Sequence, residues 1–97
     1  MKVHYREAAL ADLAHISSYL EKRSPSGALN VLRAIHSAID VIAEAPLAAR
    51  QSSDPAIRVK VVERYGYKIF YSSGADTVEI LHIRHGARRP WPPELPT

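Results

Sequence analysis

The chain has 97 residues, 46% of them hydrophobic and 24% charged, a balance that predicts one small globular domain and excludes a disordered segment. The absence of cysteine excludes a disulfide framework, a thiolate metal site and a cysteine nucleophile. The first ten residues lack an apolar core of signal-peptide length, and no apolar run is long enough to cross a bilayer, so we expect a cytoplasmic protein without a membrane segment.

The positive charge lies in the second half of the chain. Residues 50–97 hold eight Lys or Arg and five Asp or Glu, which accounts for the whole net charge of +3, while residues 1–49 are balanced. A basic half suits an acidic partner, such as nucleic acid or an acidic protein segment. A solvated surface that keeps the protein soluble explains this modest excess equally well.

The first half predicts a strand followed by a helix. Lys2–Arg6 is typical of a short strand, with Val3 and Tyr5 on one face. Apolar residues at helical spacing then predict a helix over Ala8–Lys22. No strong N-cap residue precedes this helix, so its start is not marked in the sequence.

A second helix is marked at both ends. Ser24 is suited to cap it, and Pro25 is favoured at the first helical position. The helix is expected to end at about Ala45, because Pro46 disfavours helical geometry in the residue before it. Its apolar stripe comprises Leu32, Ile35, Ile39 and Ile42. The two helices are therefore predicted to form a hairpin.

The second half predicts one loop and three strands. The loop is Pro46–Ala56, and the strands are Ile57–Glu63, Tyr67–Ser73 and Thr77–Arg84, joined by short turns that imply an antiparallel meander. The order β-α-α-β-β-β predicts an α+β fold with the helical hairpin on one face of a small, mainly antiparallel sheet. We expect residues 1–97 to form one domain, in which residues 89–97, with four of the seven prolines, are predicted to form an extended tail.

Both faces of the last two strands are apolar. Phe70 alternates with Tyr67, Ile69 and Tyr71, so these residues point to opposite sides, and the last strand has Val78, Ile80 and His82 on one side. Leu81 and Ile83 would lie on the other side. Two helices cover only one face, so the second face is expected to expose an apolar patch, which usually marks an interface. The alternative is that the long loop and the tail cover it.

The remaining candidates for chemistry are basic. The pair His82-x-x-His85 has a spacing sometimes seen in metal sites, but without a third ligand it reads better as two ordinary histidines. No phosphate-binding glycine loop, cofactor motif or acid/base carboxylate pair is found. The basic candidates, with two aromatic neighbours, are Arg58, Lys60, Arg64, Lys68, Phe70, Arg84, Arg88, Arg89 and Trp91. Such residues bind phosphates or acidic carboxylates.

The chain resembles the RelE/ParE toxin superfamily of type II toxin–antitoxin pairs, and within it the ParE branch. The resemblance rests on the element order and on three segments, namely Ala11-Asp12-Leu13 with Ile16 and Tyr19, Tyr67-x-Ile69-x-Tyr71, and the run from Ile80 to Arg88. The Pro46 stop and Arg58, early in the second strand, belong to the same pattern. The resemblance implies a toxin that an antitoxin wraps and neutralises in a hetero-oligomeric complex, without a cofactor.

The branches of this superfamily imply different targets. A ParE-like toxin would inhibit DNA gyrase and stall replication without an active site of its own. A RelE-like toxin would cut mRNA on the ribosome, and here His85, Arg84 and Arg88 would be its catalytic residues. No tyrosine follows Tyr71, whereas the endonucleases often carry one near the C-terminus, so we favour the gyrase branch. A binding module without toxicity is the third hypothesis.

Overall fold

The structure is a computed structural model that describes residues 1–86. Its elements are β1 (Lys2–Tyr5), α1 (Glu7–Glu21), α2 (Pro25–Glu44), β2 (Arg50–Gln51), β3 (Arg58–Val62), β4 (Tyr67–Ser73) and β5 (Thr77–His85). The predicted α+β class and element order are confirmed, and each predicted boundary lies within one residue of the observed one. The two-residue strand β2 is an addition inside the predicted loop.

The five strands form one mixed sheet in the order β1-β5-β4-β3-β2. Strands β2 to β5 each pair antiparallel with the next strand in sequence. For β3, β4 and β5 this is the meander that the short turns predict. Strand β1 pairs parallel to β5, with Lys2 opposite Thr77 and Tyr5 opposite Ile80. A parallel pair cannot be joined by a tight turn and needs a long connection. Here the helical hairpin and strands β2 to β4 lie between β1 and β5 in sequence.

The two helices begin in different ways. Ser24 caps α2, and its Oγ accepts a hydrogen bond from the Gly27 N–H at 3.1 Å. Helix α1 follows Arg6, which makes no side-chain cap. The buried stripe of α2 contains Val31 where Leu32 was predicted, and Leu32 is only half-buried. Within residues 1–86, the helices are too short or too polar to span a bilayer.

The core lies between the helices and one face of the sheet. Tyr71 is fully buried there, and its hydroxyl donates a hydrogen bond to the Pro46 carbonyl at 2.6 Å. Beside it, Arg58 Nη1 donates to the Ala49 carbonyl at 2.7 Å. Burial raises the pKa of the Tyr71 phenol, although the Arg58 charge and a backbone hydrogen bond partly offset this effect. These two side chains attach the loop to the sheet.

A β-bulge changes which side chains of β5 face the helices. Phe70 pairs with His82, but the next residue of β4, Tyr71, pairs with Ile80, so Leu81 is an extra residue on β5. Ile80 and Ile83 consequently both belong to the core. The prediction that put Ile80 and Ile83 on opposite faces is therefore wrong, because one inserted residue reverses the alternation beyond it.

The face of the sheet away from the helices, here called the outer face, is less exposed than predicted. Phe70 is 5% exposed and Leu81 3% exposed, so the predicted apolar patch is not open at these positions. The cross-strand neighbours of Phe70 are Val59 on β3 and His82 on β5. The tail that was predicted as an alternative cover lies outside the described residues. The large apolar side chains that are exposed in residues 1–86 are Met1, Leu10, Tyr19, Leu29, Val41 and Leu47.

Candidate functional site

A cleft of about 850 Å³ opens between the second half of α1 and the ends of β4 and β5. Strand β1 pairs with β5 only as far as Ile80, so the last residues of β5 extend beyond their parallel neighbour. The cleft forms beside this extension. The lining side chains that are charged, titratable or able to form hydrogen bonds include Asp12, His15, Tyr19, Lys22, Tyr65, Tyr67, Arg84 and His85.

Asp12 closes part of the edge that β1 leaves open. Its Oδ2 accepts a hydrogen bond from the Ile83 backbone N–H at 2.9 Å and lies 2.9 Å from His82 Nδ1. An ionised carboxylate only accepts hydrogen bonds, so Nδ1 carries the hydrogen in this contact. Both side chains are about three-quarters or more buried, with 22% of Asp12 and 23% of His82 exposed. The pair joins α1 to β5 at the rim of the cleft.

His85 meets the ring of Tyr67 across the β4–β5 pair. The two rings are 5.2 Å apart and almost perpendicular, an edge-to-face arrangement. Gly66, with φ of +73°, makes the turn before Tyr67, and a Cβ on Gly66 would lie 3.4 Å from His85 Nε2. The positive φ favours glycine at this position, and a Cβ there would be in van der Waals contact with the imidazole. Gly86 N–H also donates to the Gly66 carbonyl at 2.6 Å.

The cleft combines cations with aromatic rings. Lys22 and Arg84 contribute positive charge, and His15 and His85 add groups that gain charge when protonated. The acid in the lining, Asp12, already accepts two hydrogen bonds. Within residues 1–86, no group of three or more His, Asp or Glu side chains is placed to hold a metal ion. The lining is suited to bind an anionic or aromatic group.

Two of the predicted binding residues lie on the helix side of the sheet. Arg58 is opposite Tyr71 and Lys60 is opposite Ile69, and both partners belong to the core face. The Arg58 guanidinium is partly engaged by the Ala49 carbonyl. Arg58 and Lys60 therefore share a face, as predicted, but that face is separate from the one that carries Lys68 and Phe70.

The other predicted residues divide between the turn, the outer face and the cleft. Arg64 lies in the β3–β4 turn, with its guanidinium 5.5 Å from the Tyr65 ring centre. Lys68 and Arg84 face each other across β4 and β5, two residue pairs away from Phe70 and on the same outer face. His85 and Arg84 line the cleft. Three predicted residues, Arg88, Arg89 and Trp91, lie outside the described residues.

Sequence reasoning missed the contribution of α1 to the site. Asp12 and Tyr19 were recognised only as parts of a family pattern, and His15 was covered only by the predicted helix Ala8–Lys22. Their spacing of three or four residues places them on one side of the helix. No signal in the sequence showed that this side would border the extended end of β5, since that depends on where the parallel pairing of β1 ends.

Comparisons with known proteins agree on one class. A solved structure described as the chromosomal ParDE TA system from P. aeruginosa has the same fold, with a TM-score of 0.79, 23% identity, and coverage of 88% of this chain and 95% of that one. A putative toxin of Sinorhizobium fredii, Y4kP, is 34% identical over 94 residues, which cover 97% of this chain and 96% of that protein. Toxin RelE2 of Caulobacter vibrioides is 34% identical over 80 residues, which cover 82% of this chain and 89% of that protein.

The fold and these relatives define a toxin of the RelE/ParE superfamily, as the resemblance implied. The family described as "ParE toxin of type II toxin-antitoxin system, parDE" matches residues 3–90. This match covers most of the chain. The protein therefore belongs to the ParE toxin family of type II toxin–antitoxin systems.

Proposed function

We propose that this protein arrests growth by inhibiting DNA gyrase and that a cognate antitoxin neutralises it in a cytoplasmic complex. The match to the ParE family over residues 3–90 carries the proposal. The absence of any tyrosine after Tyr71 supports the gyrase branch, because RelE-like endonucleases often carry one near the C-terminus. On this reading the basic residues are docking groups, and the protein has no catalytic residues of its own.

The proposal can be tested in cells by expressing the protein without an antitoxin. We expect growth arrest with broken chromosomal DNA, an induced DNA-damage response and intact mRNA. The variant His85→Ala should keep this toxicity, because His85 is not catalytic in a gyrase inhibitor. His36→Ala is the matched control, since His36 lies on α2 with its side chain 73% exposed. Harmless expression of the folded protein would contradict the proposal and favour a non-toxic binding module.

A ribosome-dependent mRNA endonuclease is the second candidate, and one contact favours it. The Tyr67 ring lies 5.2 Å from the ring of His85, so a tyrosine and a histidine meet beside Arg84 at the cleft. A histidine moves a proton and an arginine stabilises a phosphate in RNA cleavage. His85 and Arg84 were named for this role, but Tyr67 was not, because it is distant in sequence.

This second candidate makes the opposite prediction for the same variants. His85→Ala and Arg84→Ala would abolish toxicity, while the fold and the binding of an antitoxin would persist. Growth arrest would come with cut mRNA and undamaged DNA. Intact mRNA in arrested cells would rule the candidate out. Arg88, which was also named, would be the third residue to replace.

The proposed antitoxin can be tested by neutralisation. Coexpression of a candidate antitoxin from a neighbouring gene should restore growth and yield a stable complex of the two chains. The exposed apolar side chains on the helices, Leu10 and Val41 among them, offer contact area for such a partner. If no coexpressed neighbour restores growth, the antitoxin part of the proposal is wrong, whatever the target of the toxin.

A further inference from the structure

Two cations face each other on the outer face of the sheet. Lys68 on β4 lies directly opposite Arg84 on β5, and both residues are half-buried. Directly opposed like charges destabilise a pair of strands. A negative charge placed between the two cations would offset their repulsion by attracting both of them. Partial burial would make this attraction stronger than it would be in open water.

Neither cation has an anionic partner within the part of the chain that the structure describes. The ion pairs there join His4 and Arg6 to Glu79, His36 to Asp40, and His82 to Asp12. The Arg84 Nε atom is buried and has no hydrogen-bond acceptor among residues 1–86. Buried donors are nearly always paired in folded proteins, so this atom is an exception that calls for an explanation.

Gly86 and Val61 lie beside Lys68. Lys68 Cε lies 3.7 Å from the position that a Cβ on Gly86 would take, so the lysine passes close over that glycine. Val61, which pairs with Lys68 from the other side, provides an apolar neighbour. Arg84 also lines the cleft, which places this pair at the boundary between the cleft and the outer face.

We propose that Lys68 and Arg84 form a seat for one carboxylate of a protein partner, either an Asp or Glu side chain or a chain terminus. The guanidinium can offer Nε–H and a second N–H to two carboxylate oxygens, and the ammonium adds a third donor. The identification of the partner with the antitoxin rests on the proposed function. The chemistry of the seat rests only on the geometry of Lys68 and Arg84.

The rest of the outer face favours a polypeptide over nucleic acid. A nucleic-acid strand needs a track of cations that follows its phosphates. Here the outer face next to the pair holds Val59 and Phe70, and farther along β5 it holds Glu79, which already binds His4 and Arg6. One carboxylate flanked by apolar side chains fits this arrangement better than a run of phosphates does.

The seat can be tested by nuclear magnetic resonance on the ¹⁵N-labelled full chain, with the Arg84 Nε–H signal as the probe. Sodium acetate is titrated against sodium chloride at constant ionic strength, and sodium phosphate is titrated separately. Acetate should shift the signal with saturation, and Lys68→Met should weaken acetate binding at least threefold. Arg33→Met, which removes an exposed cation from α2, is the control and should leave the titration unchanged.

Each other outcome contradicts part of the inference. A shift that does not saturate, or an equal affinity in Lys68→Met, would overturn the seat. If phosphate binds and acetate does not, the proposal that the seat binds a carboxylate is wrong, and a nucleic-acid backbone is favoured as its occupant. If Lys68→Met fails to fold, the increase in thermal stability that acetate causes is compared between wild type and Arg84→Lys. Arg84→Lys keeps the charge but loses the Nε–H, so it should lose most of this increase.

A final step separates the seat from the proposed function. In the complex with the antitoxin, the Arg84 Nε–H signal should move in the direction that acetate moves it. If acetate binds but the complex leaves the signal unmoved, the seat exists and the antitoxin is not its occupant. The titration involves neither gyrase nor mRNA, so failure of the gyrase assay would leave its result intact.

Discussion

Replacing Asp12 tests whether the contact between α1 and β5 holds the cleft together. Its carboxylate accepts two hydrogen bonds at 2.9 Å, one from the Ile83 backbone and one from His82. Hydrogen bonds to charged groups contribute roughly 1.5–3 kcal/mol each, and the 22% exposure of Asp12 lets water replace part of this. We therefore expect Asp12→Ala to lower the free energy of unfolding by about 2–3 kcal/mol.

Asp12→Asn should lose about half as much, because the amide oxygen still accepts a hydrogen bond but without the charge that strengthens it. Circular dichroism during heating measures both variants, and each kcal/mol should lower Tm by roughly 4–8 °C in a domain of this size. Asp40→Ala is the control. Asp40 forms an exposed i,i+4 pair with His36, and such pairs contribute about 0.5 kcal/mol or less.

The reasoning is refuted if Asp12→Ala destabilises the protein no more than Asp40→Ala does. That result would mean that the Ile83 N–H finds water without cost and that α1 packs onto β5 by apolar contacts alone. If Asp12→Ala lowers the free energy of unfolding and Asp12→Asn does not, the stabilisation comes from the hydrogen bond that the Ile83 backbone N–H donates. Equal loss in both variants would assign it to the negative charge.

Two further predictions concern the turn and the core. Gly66→Ala should cost about 1–2 kcal/mol in chemical denaturation, because φ is +73° and the new Cβ would meet His85, whereas Gly74→Ala, whose Cβ would meet nothing closer than 3.8 Å, should cost clearly less. Tyr71→Phe should cost about 1 kcal/mol at neutral pH, because the hydrogen bond to the Pro46 carbonyl is lost, while Tyr19→Phe, at an exposed residue of α1, should cost little. Burial raises the pKa of Tyr71, so its neutral form contributes stability that is complete below about pH 10 and is lost as the pH rises through the folded value. The difference between wild type and Tyr71→Phe should therefore shrink above pH 10, and a constant difference would contradict this reading.

The order of elements could be predicted because local signals mark it. Ser24 with Pro25 starts α2, Pro46 ends it, and the alternation around Tyr67–Ser73 is that of a strand. These signals depend on neighbouring residues. They therefore placed each predicted boundary within one residue of the observed one, whereas β2 was not predicted.

The candidate site could be predicted only in part, because it depends on register. The bulge at Leu81 is invisible in the alternation of β5, yet it decides that Ile83 faces the core and that Lys68 meets Arg84. The contact of Asp12 with Ile83 likewise depends on where β1 stops pairing with β5. Such facts concern residues that are distant in sequence, so single-strand patterns do not contain them.

The most direct test of the proposed activity is a gyrase assay with purified protein beside an assay of ribosome-programmed mRNA cleavage. We predict that gyrase loses supercoiling activity and accumulates cleaved DNA while the mRNA stays intact. Cuts at defined codon positions with unaffected gyrase would contradict the account, and His85, Arg84 and Tyr67 would then be the catalytic candidates.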